Sequence, residues 1–159
     1  MPSKTQSILI GALTVGILST SYIGLINIAC CLGVILGAFV AVWHYTSTNG
    51  LTLTAGSGAG LGALAGVGGA LIAAVLNYIL ALAGLDATAV MNDWIIGQFG
   101  DQMQPEQIAD MREQQANAKT IGGIFQGLLF SVPLFALFGA IGGAIGSRIF
   151  KKGPVDDTF

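Results

Sequence analysis

At 159 residues the chain has room for one domain, and its 53% hydrophobic and 9% charged content departs from the roughly 25% charged residues of soluble domains. A mean hydropathy of +0.77 is more apolar surface than a soluble fold of this length can hide. A net charge of −2 leaves nothing to attract a polyanion, so nucleic acid is not an expected partner.

The composition instead predicts an all-α polytopic membrane protein, because about 20 mostly apolar residues make a spanning helix. The first such run is residues 7–23. Lys4 followed by apolar residues from Ile8 imitates a secretory leader, but no convincing small-x-small cleavage site follows and the run leads almost directly into a second apolar run, so it reads as a retained span. In Asn27-Ile28-Ala29-Cys30, Asn27 stands where a lipoprotein cleavage site needs a branched apolar residue. The second span is residues 26–45, joined to the first by a tight turn near Ser21 and Gly24. Cys30 and Cys31 are adjacent, about 100° apart around a helix, so they do not pair with each other. They read as small packing residues, with an acylated or reactive thiol as the alternative. His44, between Trp43 and Tyr45, fits the aromatic belt of a membrane interface. A lone histidine without nearby carboxylates does not suggest a metal site.

The third span, 56–83, and the fourth, 121–150, are longer than one bilayer requires, so they tilt or project past the surface. Pro133 is expected to kink the fourth. Between them lies an extramembrane acidic helical segment, about 86–119, in which Asp86, Asp93, Asp101, Glu106, Asp110 and Glu113 outnumber Arg112 and Lys119. Two short helices are expected there. Thr88 is the candidate cap of the first, and Met91, Ile95, Phe99 and Met103, flanked by Val90 and Trp94, form its apolar stripe. Gly97 and Gly100 weaken that helix. Pro105 opens the second, about 105–117, with Glu106 at its positive end.

The 24 glycines concentrate in the spans. Gly58, Gly62 and Gly66 share one face of the third, continued by Ala70. Gly139 with Gly143, and Gly142 with Gly146, do the same in the fourth, and Gly33 with Gly37 in the second. Small residues four apart let helix backbones approach closely. Such faces pack within the bundle or against another copy or subunit. Polar residues within spans are few. Asn27, Asn77 and Gln126 bond between helices or line a shallow polar pocket opening outward, with Tyr22 and Tyr78 beside it. Without a buried mid-membrane charge, a proton-coupled pathway is not expected. Gly58, Gly60 and Gly62 lack the strand and acidic partner of a dinucleotide loop. No nucleophile–base pair suggests an enzyme, and no cofactor is expected.

Orientation follows the basic residues. Lys4 precedes the first span, and Arg148, Lys151 and Lys152 close the fourth. An even number of spans places both termini in the cytoplasm of a plasma (inner) membrane protein, with the acidic segment outside. Three stretches, Gly58-Ala59-Gly60-Leu61-Gly62-Ala63, Met111-Arg112-Glu113-Gln114, and Gly142-Gly143-Ala144-Ile145-Gly146 leading to Phe150-Lys151-Lys152, give the chain a pattern that resembles a family of small uncharacterised bacterial four-span membrane proteins. The resemblance implies the fold but no activity and no functional residues. The expected function is a structural or accessory subunit in the lipid bilayer, alone as a homo-oligomer or with other membrane subunits. A small oligomeric channel or passive transporter is the alternative.

Overall fold

The computed structural model describes residues 3–20, 23 and 31–156, with only the backbone described at Thr88. Among them the chain is all-helical apart from one two-residue strand pair. The elements are α1 (Lys4–Leu18), α2 (Leu32–Asn49), β1 (Thr52–Leu53), α3 (Ala55–Leu82), α4 (Ala87–Phe99), α5 (Pro105–Ala118), α6 (Ile121–Ile149) and β2 (Val155–Asp156).

Local chemistry sets the boundaries. Thr54 caps α3 by accepting from Ser57 N at 3.2 Å, and Thr120 caps α6 by accepting from Gly123 N at 3.0 Å. Asp86, not the expected Thr88, caps α4: its Oδ1 accepts from Ala89 N at 3.3 Å, and Thr88 lies inside the helix. At α5 a capping box links Gln104 and Gln107, with Pro105 in the first turn. A left-handed Cys31, φ 55°, precedes α2 and a left-handed Gly50, φ 63°, ends it. Pro133 lies within a helix that runs unbroken from Ile121 to Ile149.

The four longer apolar helices form a bundle in the order α1, α2, α6, α3 around its axis, and α2 and α3 also meet across it. Gly11 of α1 faces Ala41 of α2 and Ala65 of α3; Gly16 faces Ile72; Gly142 and Gly146 of α6 face Ile35 and Val42 of α2. The chain therefore runs up, down, up, down. One end gathers the start of α1, the α2–α3 loop and the end of α6. The other carries α4 and α5, of which α5 touches α6 and α4 touches α5.

Two of the four expected spans are long and apolar enough to cross a membrane, α3 and α6. The first two differ from expectation. Helix α1 stops at Leu18 after 15 residues, about 22 Å at about 1.5 Å per residue. Helix α2 begins at Leu32, after the left-handed Cys31, and runs past Tyr45 through the polar Thr46–Asn49 turn; residues 26–30 of the expected span lie outside the described residues. Ser21 and Gly24, the expected tight turn, and Cys30 lie outside the described residues.

Candidate functional site

The glycine faces position the site. Along the antiparallel α3–α6 seam, a Cβ on Gly58 would strike Gly143 O and Ser147, one on Gly62 would strike Gly139 O, and one on Gly66 would strike Phe135 O. In return, Gly139 and Gly143 have Gly62 O and Gly58 O against them. Each contact is closer than real Cβ atoms adopt, so only glycine permits this spacing. Gly37 is filled by Val15, and Gly142 and Gly146 lie on Ile35, Ala38 and Phe39. Gly33 is buried near the start of α2.

Beyond Gly66 and Phe135 both helices stay small but no longer touch so closely. Ala70, Ala73 and Ala74 of α3 then face Gly127, Gly123 and Ser131 of α6 across a cleft of about 680 Å³. A Cβ on Gly127 would meet nothing within 4 Å. The cleft is polar at its mouth, where Asn77 and Tyr78 of α3, Asp86, Asn92 of α4, and Gln114 and Gln115 of α5 converge. It is apolar at depth, where Phe135 and Leu128 join the alanines. Asn77 donates through Nδ2 to Ser19 O at 3.2 Å, which fixes its amide against the end of α1. A second groove of about 540 Å³ adjoins this one through Gln114, Ala118, Gly123 and Gly127, and carries Asp110, Glu113 and Gln126.

The polar residues expected to share a pocket are thus divided. Asn77 and Tyr78 line the cleft, Gln126 lies in the adjoining groove, and Asn27 and Tyr22 fall outside the described residues. On α4, Val90, Met91, Trp94 and Phe99 are exposed; Met103 lies beyond the helix, past a 3₁₀ turn at Gly100–Gln102, and does not extend the stripe.

Several residues were not singled out from sequence. Gly11, Gly16 and Gly69 make the α1–α3 contact, with Gly69 against Val15; Ser7 and Gly11, four apart, carry the signal that would have found them. At the opposite end from the cleft, His44 Nδ1 is 2.9 Å from Ser7 Oγ. There the fully buried Tyr45 donates to Asp156 Oδ2 at 2.7 Å. Parallel pairing of β1 with β2 sets Thr52 beside Val155 and Leu53 beside Asp156. Thr52 N donates to Pro154 O at 2.8 Å, and Thr52 Oγ1 donates to Gly153 O at 2.8 Å. The C-terminal segment is thereby held against the α2–α3 loop.

Among the described residues no three His, Cys, Asp or Glu side chains group as metal ligands. The chemistry of the cleft is that of amides, hydroxyls and carboxylates above an apolar floor. Comparisons with protein-family models, with curated proteins and with solved structures find no match to this chain. What the fold itself defines is an all-helical protein with two helices able to cross a membrane.

Proposed function

We propose that the chain is a four-span integral protein of a plasma (inner) membrane, both termini cytoplasmic, serving as a structural or accessory subunit. One observation carries the membrane reading: the bundle is apolar on the outside. Its buried core is largely alanine, valine and glycine, with Tyr45 and Leu61 the largest members, whereas Leu71, Val75, Ile79, Phe125, Leu129, Phe130 and Leu137 are at least half exposed. A soluble bundle reverses that distribution, and an exposed apolar girdle of this extent needs lipid or protein to cover it. Helices α1 and α2 share that slab. Ser7 of α1 meets His44 of α2, and Ser19 at its other end meets Asn77 of α3, so α1 packs beside α2 and α3 over most of the membrane's depth.

The charge distribution supports the orientation. Lys4, Arg148, Lys151 and Lys152 collect at the end opposite the acidic α4–α5 segment. Because the glycine faces lie against the chain's own helices, the surfaces left for a partner are the exposed stripe of α4 and the outer flanks of α3 and α6. The same packing weighs against the channel reading, which needs glycine faces lining water. A photo-crosslinking residue at Trp94, used in native membranes and followed by mass spectrometry of the intact complex, tests the subunit role. A stoichiometric second protein is expected. Crosslinks only between copies of this chain would replace the subunit reading with the oligomeric channel.

A further inference from the structure

We infer that the cleft between α3 and α6 is a binding site for one single-chain amphiphile with an uncharged, hydroxyl- or amide-bearing head, entering from the outer leaflet. The inference rests on the four-span reading above. Depth, the order of polarity along the walls, and the hydrogen-bonding groups left open at the mouth carry it.

The α3 wall runs from Ala81 at the mouth to Ala70 at the floor, a rise of about 16 Å at about 1.5 Å per residue. Half of the roughly 30 Å hydrocarbon core is about 15 Å, so the cleft matches one leaflet. Its floor is lined by Ala70, Ala73, Leu128 and Phe135, and its mouth by amides and a phenol, with Ser131 the hydroxyl between. An extended apolar tail below a polar head matches that order. The volume, about 680 Å³, falls within the roughly 300–1,000 Å³ of small-molecule sites.

The mouth also selects the kind of head. Asn77 donates to Ser19 O, and Asp86 is engaged as the cap of α4. By contrast, the side chains of Tyr78, Asn92, Gln114 and Gln115 bond to no group among the described residues. They come from α3, α4 and α5, and offer a phenol and three carboxamides, each able to donate and to accept. Uncharged groups of both polarities, converging on one opening, suit hydroxyls or amides on the ligand. An ionic head held between helices needs a counter-charge to offset its desolvation. Among the described residues no Lys or Arg lines the cleft to pair with an anion. Its carboxylate, Asp86, already holds the start of α4.

The test uses the full chain in phosphatidylcholine vesicles and three probes that share one diazirine-bearing alkyl tail: a monoacylglycerol, an alkyltrimethylammonium and an alkyl sulfate. Each is added at the same low mole fraction and photolysed, and adducts are mapped by mass spectrometry. The monoacylglycerol should label the floor at Leu128 and Phe135 at least about tenfold more than either charged probe. All three should label the exposed flank at Leu129 and Leu137 alike. Gly127 lines the cleft, and a Cβ there meets nothing within 4 Å, so Gly127→Leu adds bulk where there is room. Ala74→Leu does the same from the facing wall. Both variants should lose the floor adducts and keep the flank adducts, and the comparison of probes on the unaltered chain stands without them. Equal floor labelling by the three probes, a preference for a charged one, or undiminished floor labelling in both variants overturns the inference. An uncharged lipid that stays with the chain through purification from native membranes identifies the bilayer as the source. A chain that emerges empty yet takes the monoacylglycerol identifies a free hydrophobic alcohol or amide. Carbonate extraction of membranes reads the four-span proposal separately: a chain released by carbonate fails that proposal, while a retained chain whose floor takes no monoacylglycerol fails the cleft alone.

Discussion

Gly62 and Gly127 are both glycines of long apolar helices, yet their surroundings differ completely. A Cβ at Gly62 runs into Gly139 O, whereas at Gly127 it meets open space. Gly62→Ile should therefore force α3 and α6 apart, costing about 1–3 kcal/mol or more. Gly127→Ala should be neutral or stabilising by up to about 1 kcal/mol, since glycine is a poor helix former. Thermal unfolding of the two variants in detergent checks the pair, and equal midpoints would show that the seam does not need glycine. The four-residue spacing made Gly58, Gly62 and Gly66 legible as a packing face, because small residues on one side of a helix have few other uses in an apolar run. It did not separate them from Gly127, since the spacing says nothing of what stands opposite. Asn77 and Gln126 illustrate the same gap: depth along a helix was readable, but not the rotation that puts one in the cleft and the other in the neighbouring groove.

Helices α3 and α6 begin and end within one residue of their apolar runs, because Thr54 and Thr120 cap them where hydropathy changes. Helices α1 and α2 were displaced by several residues. Hydropathy marks where a helix is apolar, not where its backbone is helical, and the polar turns at Lys4–Ser7 and Thr46–Asn49 are helical too. The β1–β2 pair was illegible, since two short segments a hundred residues apart carry no local signal. Tyr45→Phe tests what secures it. Losing a hydrogen bond to a carboxylate costs roughly 1.5–3 kcal/mol, so the Thr52 amide, bonded to Pro154 O, should exchange hydrogen faster while the α3–α6 seam keeps its protection. Unchanged exchange at Thr52 would mean that Asp156 does not secure the segment. For α4, lipid-borne quenchers should quench Trp94, which is 59% exposed, if its stripe lies on the membrane. Absence of quenching would leave a protein partner as the cover for that face.

At the scale of the molecule, small residues inside and large apolar residues outside make a bundle whose cohesion comes from backbone contact and whose surface, on the proposed reading, is finished by lipid. The all-helical class and the order of the helices were legible because long apolar runs alternate with turn and capping residues. The cleft was not, because it arises where two helices stop touching, a property of their separation that no single segment encodes. The four-span arrangement with both termini inside is tested most directly by single-cysteine labelling with an impermeant thiol reagent, after replacing Cys30 and Cys31. Exposed positions Ser3, Thr48, Gln98 and Lys152 take the probe cysteine one at a time. Gln98→Cys should react in intact cells, and the other three only after the membrane is opened. A labelling pattern that divides Ser3, Thr48 and Lys152 between the two sides, or places Gln98 with them, would contradict the four-span bundle.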